Sequence, residues 1–190
     1  MGKQEILENI RKGKPEAKAH PGVFQAEILN DREQLTIDFA AQAGLVGAEV
    51  TDLDNSKNME QFLSDKFQNA IDFRKVENCK KYSANCQKNE LAKLKVVILE
   101  GKFGVAENGA VWVDDSCFSN RLIPFITEHL IILLPKKNLL STMDEAYEII
   151  SKKDYGFSVF VSGPSKTADI EQSLVYGAHG AKKMLILLTK

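Results

Sequence analysis

Apolar positions along this chain switch between helical spacing and unbroken runs, and the switches predict its elements. Near the start, Ile6, Leu7 and Ile10 recur at helical spacing, and GKPEAKAHPG follows with two prolines and two glycines. Residues 1–22 therefore read as a helical arm and its tether, ahead of a single domain over 23–190. Asn30 and Glu33 stand at the spacing of an N-cap and its reciprocal partner. Leu35, Phe39 and Ala43 then share one face, so a helix should run to about Gly44. AEVTDL reads as a short strand, and SKNMEQFLSDKFQNA sets Met59, Phe62, Leu63 and Phe67 on one helical stripe behind a Ser56 cap.

Residues 73–93 are polar and stay unassigned. LKVVILEG, in contrast, is a near-continuous apolar strand of the kind buried on both faces, centrally in a sheet. GVAENGAVWV has β-prone flanks around Asn108-Gly109, a dipeptide that accepts positive φ, and predicts a hairpin. A short helix or turn broken near Pro124 leads to a buried strand over Leu130–Leu134. Thr142-x-x-Glu145 is a capping box, with Met143, Ala146, Tyr147 and Ile150 on one helical face behind it. FSVFVSG reads as another buried strand, residues 167–176 as a helix, and KKMLILL as the last strand. Strands alternating with helices favour an α/β class, with a mostly parallel sheet covered by helices on both faces.

Composition narrows the function. The chain has 190 residues and a formal net charge of -1, with 44% hydrophobic and 27% charged residues, which is ordinary for a globular domain. No global field attracts nucleic acid or an anionic membrane, and the basic pairs Lys80-Lys81 and Lys182-Lys183 lack interleaved aromatics and read as solvated edges. Three scattered cysteines, Cys79, Cys86 and Cys117, match neither a disulfide framework nor a zinc site and read as free thiols. MGKQEILENIRKGKP lacks the apolar segment of a leader, and LIILL and MLILL are far below membrane-spanning length, so a cytoplasmic protein is expected. Ile6 excludes a myristoylation signal.

Candidate chemistry gathers in SGPSKTADIEQSLVYGAHG, residues 162–180. Gly163 permits a sharp turn or a close approach, and Ser165 and Thr167 offer hydroxyls to a helix start or to an anion. Lys166 adds a positive charge. Asp169 and Glu171 either answer a helix dipole or take part in a site, and His179 lies between small residues, either reaching a pocket or facing solvent. No Walker A loop and no three-glycine dinucleotide fingerprint can be written through the stretch.

SGPSKTADIEQSLVYGAHGAKKMLILL resembles the C-terminal signature of the LUD-domain family, the family of lactate utilisation protein C. GVAENGAVWV is similar to that family's Ala-Glu-Thr-Gly motif, and LIPFITEHLIILLPKKNLLSTMDEAYEII to the segment between the two. The resemblance is specific over residues 94–189 and loose before them. Asn108 stands where the family generally has Thr, and Ala181 where the turn usually ends in Pro.

The resemblance implies a Rossmann-like three-layer sandwich similar to the NagB, ribose-5-phosphate isomerase and CoA-transferase superfamily. It also implies an accessory role in oxidising L-lactate to pyruvate, beside partner subunits that carry iron-sulfur clusters. This chain itself is expected to hold no cofactor and no metal, since a cluster needs roughly four thiolates in close array. The expected site pairs Glu107, Asn108 and Gly109 of the hairpin with Gly163, Ser165, Lys166, Thr167, Asp169 and Glu171 at a helix start. It would hold a small carboxylate or phosphate, with Glu107 or His179 as a base. The alternative is a free-standing enzyme similar to the superfamily's isomerases or CoA-transferases, with Glu107 as base or nucleophile. A second copy of the chain is a further possible partner for the arm.

Overall fold

The computed structural model describes residues 2–15, 31–53, 56–168, 174–177 and 179–190. Helix α1 (Lys3–Lys12) forms where its apolar spacing predicts, with none of its residues buried. The expected arm–domain boundary at residues 22 and 23 lies outside the described residues. Helix α2 (Arg32–Leu45) is capped by Asp31, whose side chain accepts from the Glu33 and Gln34 amides; the expected cap, Asn30, lies outside the described residues. Leu35, Phe39 and Ala43 are its buried stripe. Strand β1 (Glu49–Leu53), helix α3 (Ser56–Lys66) and the two-residue β2 (Ile71–Asp72) follow. The unassigned polar segment contains two short helices, α4 (Val76–Lys81) and α5 (Lys88–Leu91), too brief for a helical period to declare itself.

Then come β3 (Val96–Glu100), the hairpin β4 (Phe103–Val105) and β5 (Ala110–Asp114), and α6 (Ile123–Ile126) with Pro124 in its first turn. Strand β6 (His129–Pro135) passes through a 3₁₀ turn (Lys136–Asn138) into β7 (Leu139–Leu140). Helix α7 (Met143–Ile150) carries the expected Thr142–Glu145 capping box, and β8 (Ser158–Val161), β9 (Lys166–Ala168), β10 (Leu174–Tyr176) and β11 (Lys183–Thr189) complete the order.

Five strands form a parallel sheet in the order β1-β11-β6-β3-β2. The chain crosses from β1 to the far edge through α3 on one face, then returns one strand at a time through connections on the other, as right-handed crossovers require. Ile98, Ile131, Leu133, Leu185 and Leu187 pack against Met59 and Leu63 of α3. The opposite face, with Val97, Leu99, Leu130, Ile132 and Ile186, packs on α2 and on a second sheet ordered β7-β4-β5-β8. The outer face of that second sheet, Phe103, Val105 and Trp112, is closed by Ala146 of α7.

The α/β class and the mostly parallel main sheet agree with the sequence pattern. The layer beside the main sheet is largely β, however, because β8 pairs antiparallel with β5 instead of joining the parallel strands. An apolar run announces burial and not which sheet it enters. One element differs at both of its described ends: where a helix is expected over 167–176, residues 166–168 and 174–176 are strands, and residues 169–173 lie outside the described residues. Lys166–Ala168 and Leu174–Tyr176 are antiparallel strands, registered Lys166↔Tyr176 and Thr167↔Val175. Thr167, Val175 and Tyr176 have strand preference. The Gly177 amide closes the pair by donating to the Ser165 carbonyl at 3.0 Å, a tertiary pairing that overrides a short helix start.

Candidate functional site

The hairpin and the SGPS connection meet at the last turn of α2. Residues 106–109 join β4 to β5, with the Gly109 amide donating to the Val105 carbonyl at 2.9 Å and the Asn108 Oδ1 accepting from the Ala110 amide at 3.1 Å. Gly109 has φ +65°, and a Cβ there would lie 2.3 Å from the Ala43 nitrogen of α2. Across the gap, Gly163 has φ +76°, and its Cβ would lie 2.4 Å from the Val46 carbonyl oxygen. Glycine answers both demands at each position, a positive φ and a bare face toward backbone. The Ser162 hydroxyl donates to the Asn108 carbonyl at 3.2 Å and ties the two segments directly.

Glu107 serves a neighbouring helix. Its Oε2 accepts from the Met143 amide at 2.7 Å, at the first residue of α7, while Glu145 Oε2 accepts from the Ser141 and Thr142 amides. Two carboxylates thus answer N–H groups that the helix start leaves without intrahelical partners. Lys166 does the converse for α2: its Nζ would lie 2.8 Å from a Cβ at Gly47, just past the carbonyl-rich helix end.

Ser165 is the hub of the second half. Its amide donates to the Ala181 carbonyl at 2.8 Å, its carbonyl accepts from Gly177, and its hydroxyl oxygen accepts from the His179 amide at 3.4 Å. His179 is exposed, at the rim of a pocket of ≈ 470 Å³ whose apolar wall includes Leu91, Leu122 and Phe125 and whose polar rim includes Lys88, Glu128 and Lys182. Lys182 Nζ stands 3.7 Å from a Glu128 carboxylate oxygen. The Lys182 amide donates to the Glu128 carbonyl, which places this pocket at the amino ends of β6 and β11.

Asn108, Gly109 and Gly163 are therefore brought together around α2, while His179 lines the pocket and is tied to Ser165 behind it. Among the described residues no hydrogen bond joins Glu107 to His179. Thr167 lies in β9 opposite Val175, so the helix N-terminus expected to hold an anion there is replaced by a strand pair. Asp169 and Glu171 lie outside the described residues. Sequence reasoning gave Ser162 no role of its own, and it missed the end of α2 with the residues after it, 43–47, and the pocket wall at Leu122 and Phe125, which come from distant parts of the chain. Lys182, read as a solvated edge, lines the same pocket as His179, three residues before it.

The thiols do not suit an iron-sulfur cluster. Cys79 donates to the Phe73 carbonyl, Cys86 to the Gln87 carbonyl and Cys117 to Asp114, three separate directions. Burial also pushes the Cys79 and Cys117 thiols up from their ordinary pKa, against the thiolate that a cluster requires. No helix among the described residues is long and apolar enough to cross a membrane.

The LUD domain model matches residues 3–189. Lactate utilization protein C of Anoxybacillus flavithermus is 36% identical over 80 residues, 42% of this chain and 36% of that protein. Its counterpart in Bacillus licheniformis is 31% identical over 112 residues, 56% of this chain and 46% of that protein. The chain thus matches less than half the length of these relatives. The uncharacterized protein YkgG of Escherichia coli is 26% identical over 181 residues, 87% of this chain and 76% of its own. The crystal structure of a DUF162 family protein from Deinococcus radiodurans superposes with a TM-score of 0.56 at 11% identity, over 85% of this chain and all of that one, a likeness of fold.

Proposed function

Since this chain belongs to the LUD domain family, we propose that it serves lactate utilisation as an accessory subunit of an iron-sulfur complex that oxidises L-lactate to pyruvate, and that it holds a small carboxylate beside His179. The observation that carries this reading is the similarity to lactate utilization protein C of several bacilli. The pocket suits the proposed ligand: Lys182 and Lys88 attract a carboxylate, and the His179 imidazole lies within the same rim to meet a hydroxyl. Electrons from the 2-hydroxy acid pass in this reading to clusters in partner subunits, because the chain's own thiols do not suit one. The alternative, a free-standing isomerase or CoA-transferase with Glu107 as base, gains nothing from the geometry. The Glu107 carboxylate already accepts from the Met143 amide.

The test is a pull-down of tagged protein from its native host grown on L-lactate, with iron and sulfide assayed in the eluate, beside His179→Ala and Lys182→Ala. Iron-sulfur partners recovered with the wild type, together with L-lactate binding that both substitutions weaken, are the expected result. An iron-free single chain that turns over sugar phosphates or CoA esters alone would overturn it in favour of the alternative.

A further inference from the structure

We propose a second site, at the opposite end of the parallel sheet, that binds a small molecule bearing a phosphoryl group. Strands β6 and β11 are each seven residues long and run parallel, so their carboxyl ends lie about 20 Å from the His179 pocket. At those ends the connections diverge. After β1 the chain leaves over the α3 face, and after β6 it turns through Lys136–Asn138 onto the other face, with β11 between them. Divergence of this kind opens a crevice outside the carboxyl ends, the place where open α/β sheets hold ligands.

The crevice is present and basic. It has a volume of ≈ 720 Å³ and is lined by Arg32, Lys136, Lys137 and Lys190 against the acids Glu33 and Asp52, with Thr36 and Ile37 on the α2 side. Four cations from three separate segments converge on one opening in a chain whose formal net charge is only -1. Two of them are held in place. Arg32 Nη1 donates to the Leu139 carbonyl at 2.7 Å, which fixes the guanidinium and leaves its other N–H donors for a further acceptor. Lys136 Nζ is held 2.8 Å from Asp52 on the β1 wall.

A guanidinium fork with several ammonium groups suits the oxygens and double charge of a phosphoryl group better than a single carboxylate. The volume exceeds a bare ion and falls in the range of small-molecule pockets. Ile37, 56% exposed on the crevice wall, offers apolar contact to the remainder of such a molecule.

The probe is inorganic phosphate, titrated into isotope-labelled full-length chain at constant ionic strength and followed on backbone amides by NMR. Saturable shifts at Lys137, Lys190 and the start of α2 are expected. The double substitution Lys137→Gln with Lys190→Gln should weaken binding at least tenfold, about 1.4 kcal/mol, whereas Lys80→Gln on α4, which lines neither pocket, should bind as the wild type. The same spectra report whether each variant is folded. Absence of saturable shifts up to about 50 mM phosphate, well beyond useful affinity, would overturn the proposal, as would equal binding by the double variant. L-lactate moving these same amides as strongly as phosphate would overturn the phosphoryl assignment. Failure of phosphate to bind leaves the carboxylate reading at His179 untouched, since the reporting amides lie at the opposite end of the sheet.

Discussion

At Gly109 the backbone takes φ +65°, and a methyl group in place of the hydrogen would stand 2.3 Å from the Ala43 amide nitrogen. Gly109→Ala therefore imposes both a left-handed conformation on a side-chain-bearing residue and a collision with helix backbone that no rotamer change relieves. The conformational part alone costs about 1–3 kcal/mol. At roughly 2–4 °C per kcal/mol for a chain of this size, thermal unfolding of Gly109→Ala should show a clear drop in midpoint. An unchanged midpoint would mean that the hairpin does not seat on α2. The Asn-Gly pair was legible as a turn; its second duty, letting a helix end approach, depends on a residue far away in sequence and has no local signature.

At the scale of elements, α7 shows why a motif residue need not be catalytic. Its start draws on the Thr142–Glu145 capping box, readable from spacing alone, and on Glu107 from the preceding hairpin, which is not. Glu107→Ala removes a charge-assisted cap and should cost about 0.5–2 kcal/mol. Glu107→Gln, which keeps an acceptor oxygen, should restore most of that stability in denaturant unfolding. If both variants are as stable as the wild type, the carboxylate is dispensable to α7 and a ligand role for it gains ground. The β9–β10 pair is the opposite case: hydroxyls and acids behind Gly163 read as a helix start, yet partners across the pair at Val175 and Tyr176 decide the conformation.

For the whole molecule, the amino edge of the parallel sheet carries a pH response. His129 opens β6, half-buried with its ring 5.2 Å from Phe67, and burial lowers its pKa, with Glu49 raising it and Lys183 lowering it. The unfolded chain therefore binds a proton more readily than the folded one between the folded pKa and the ordinary value near 6.5. Stability from this group is full above about pH 6.5 and is lost as the pH falls from there through the folded value. Urea unfolding between about pH 7.5 and about pH 5 should show the wild type losing more stability on acidification than His129→Gln; parallel losses would exclude His129 as the source. By itself the sequence determined the α/β class, the α2 and α7 stripes, the apolar strands β3, β6 and β11, and the two glycine-bearing motifs, because spacing, caps and turn dipeptides act within a few residues. Only the tertiary structure decided that β8 joins a second sheet, that residues 166–168 and 174–176 pair as strands, and that both motifs converge on the end of α2. It also decided that Arg32, Lys136, Lys137 and Lys190 share one crevice. Each of these depends on contacts between residues far apart in the chain, and such contacts leave no period in the sequence to read.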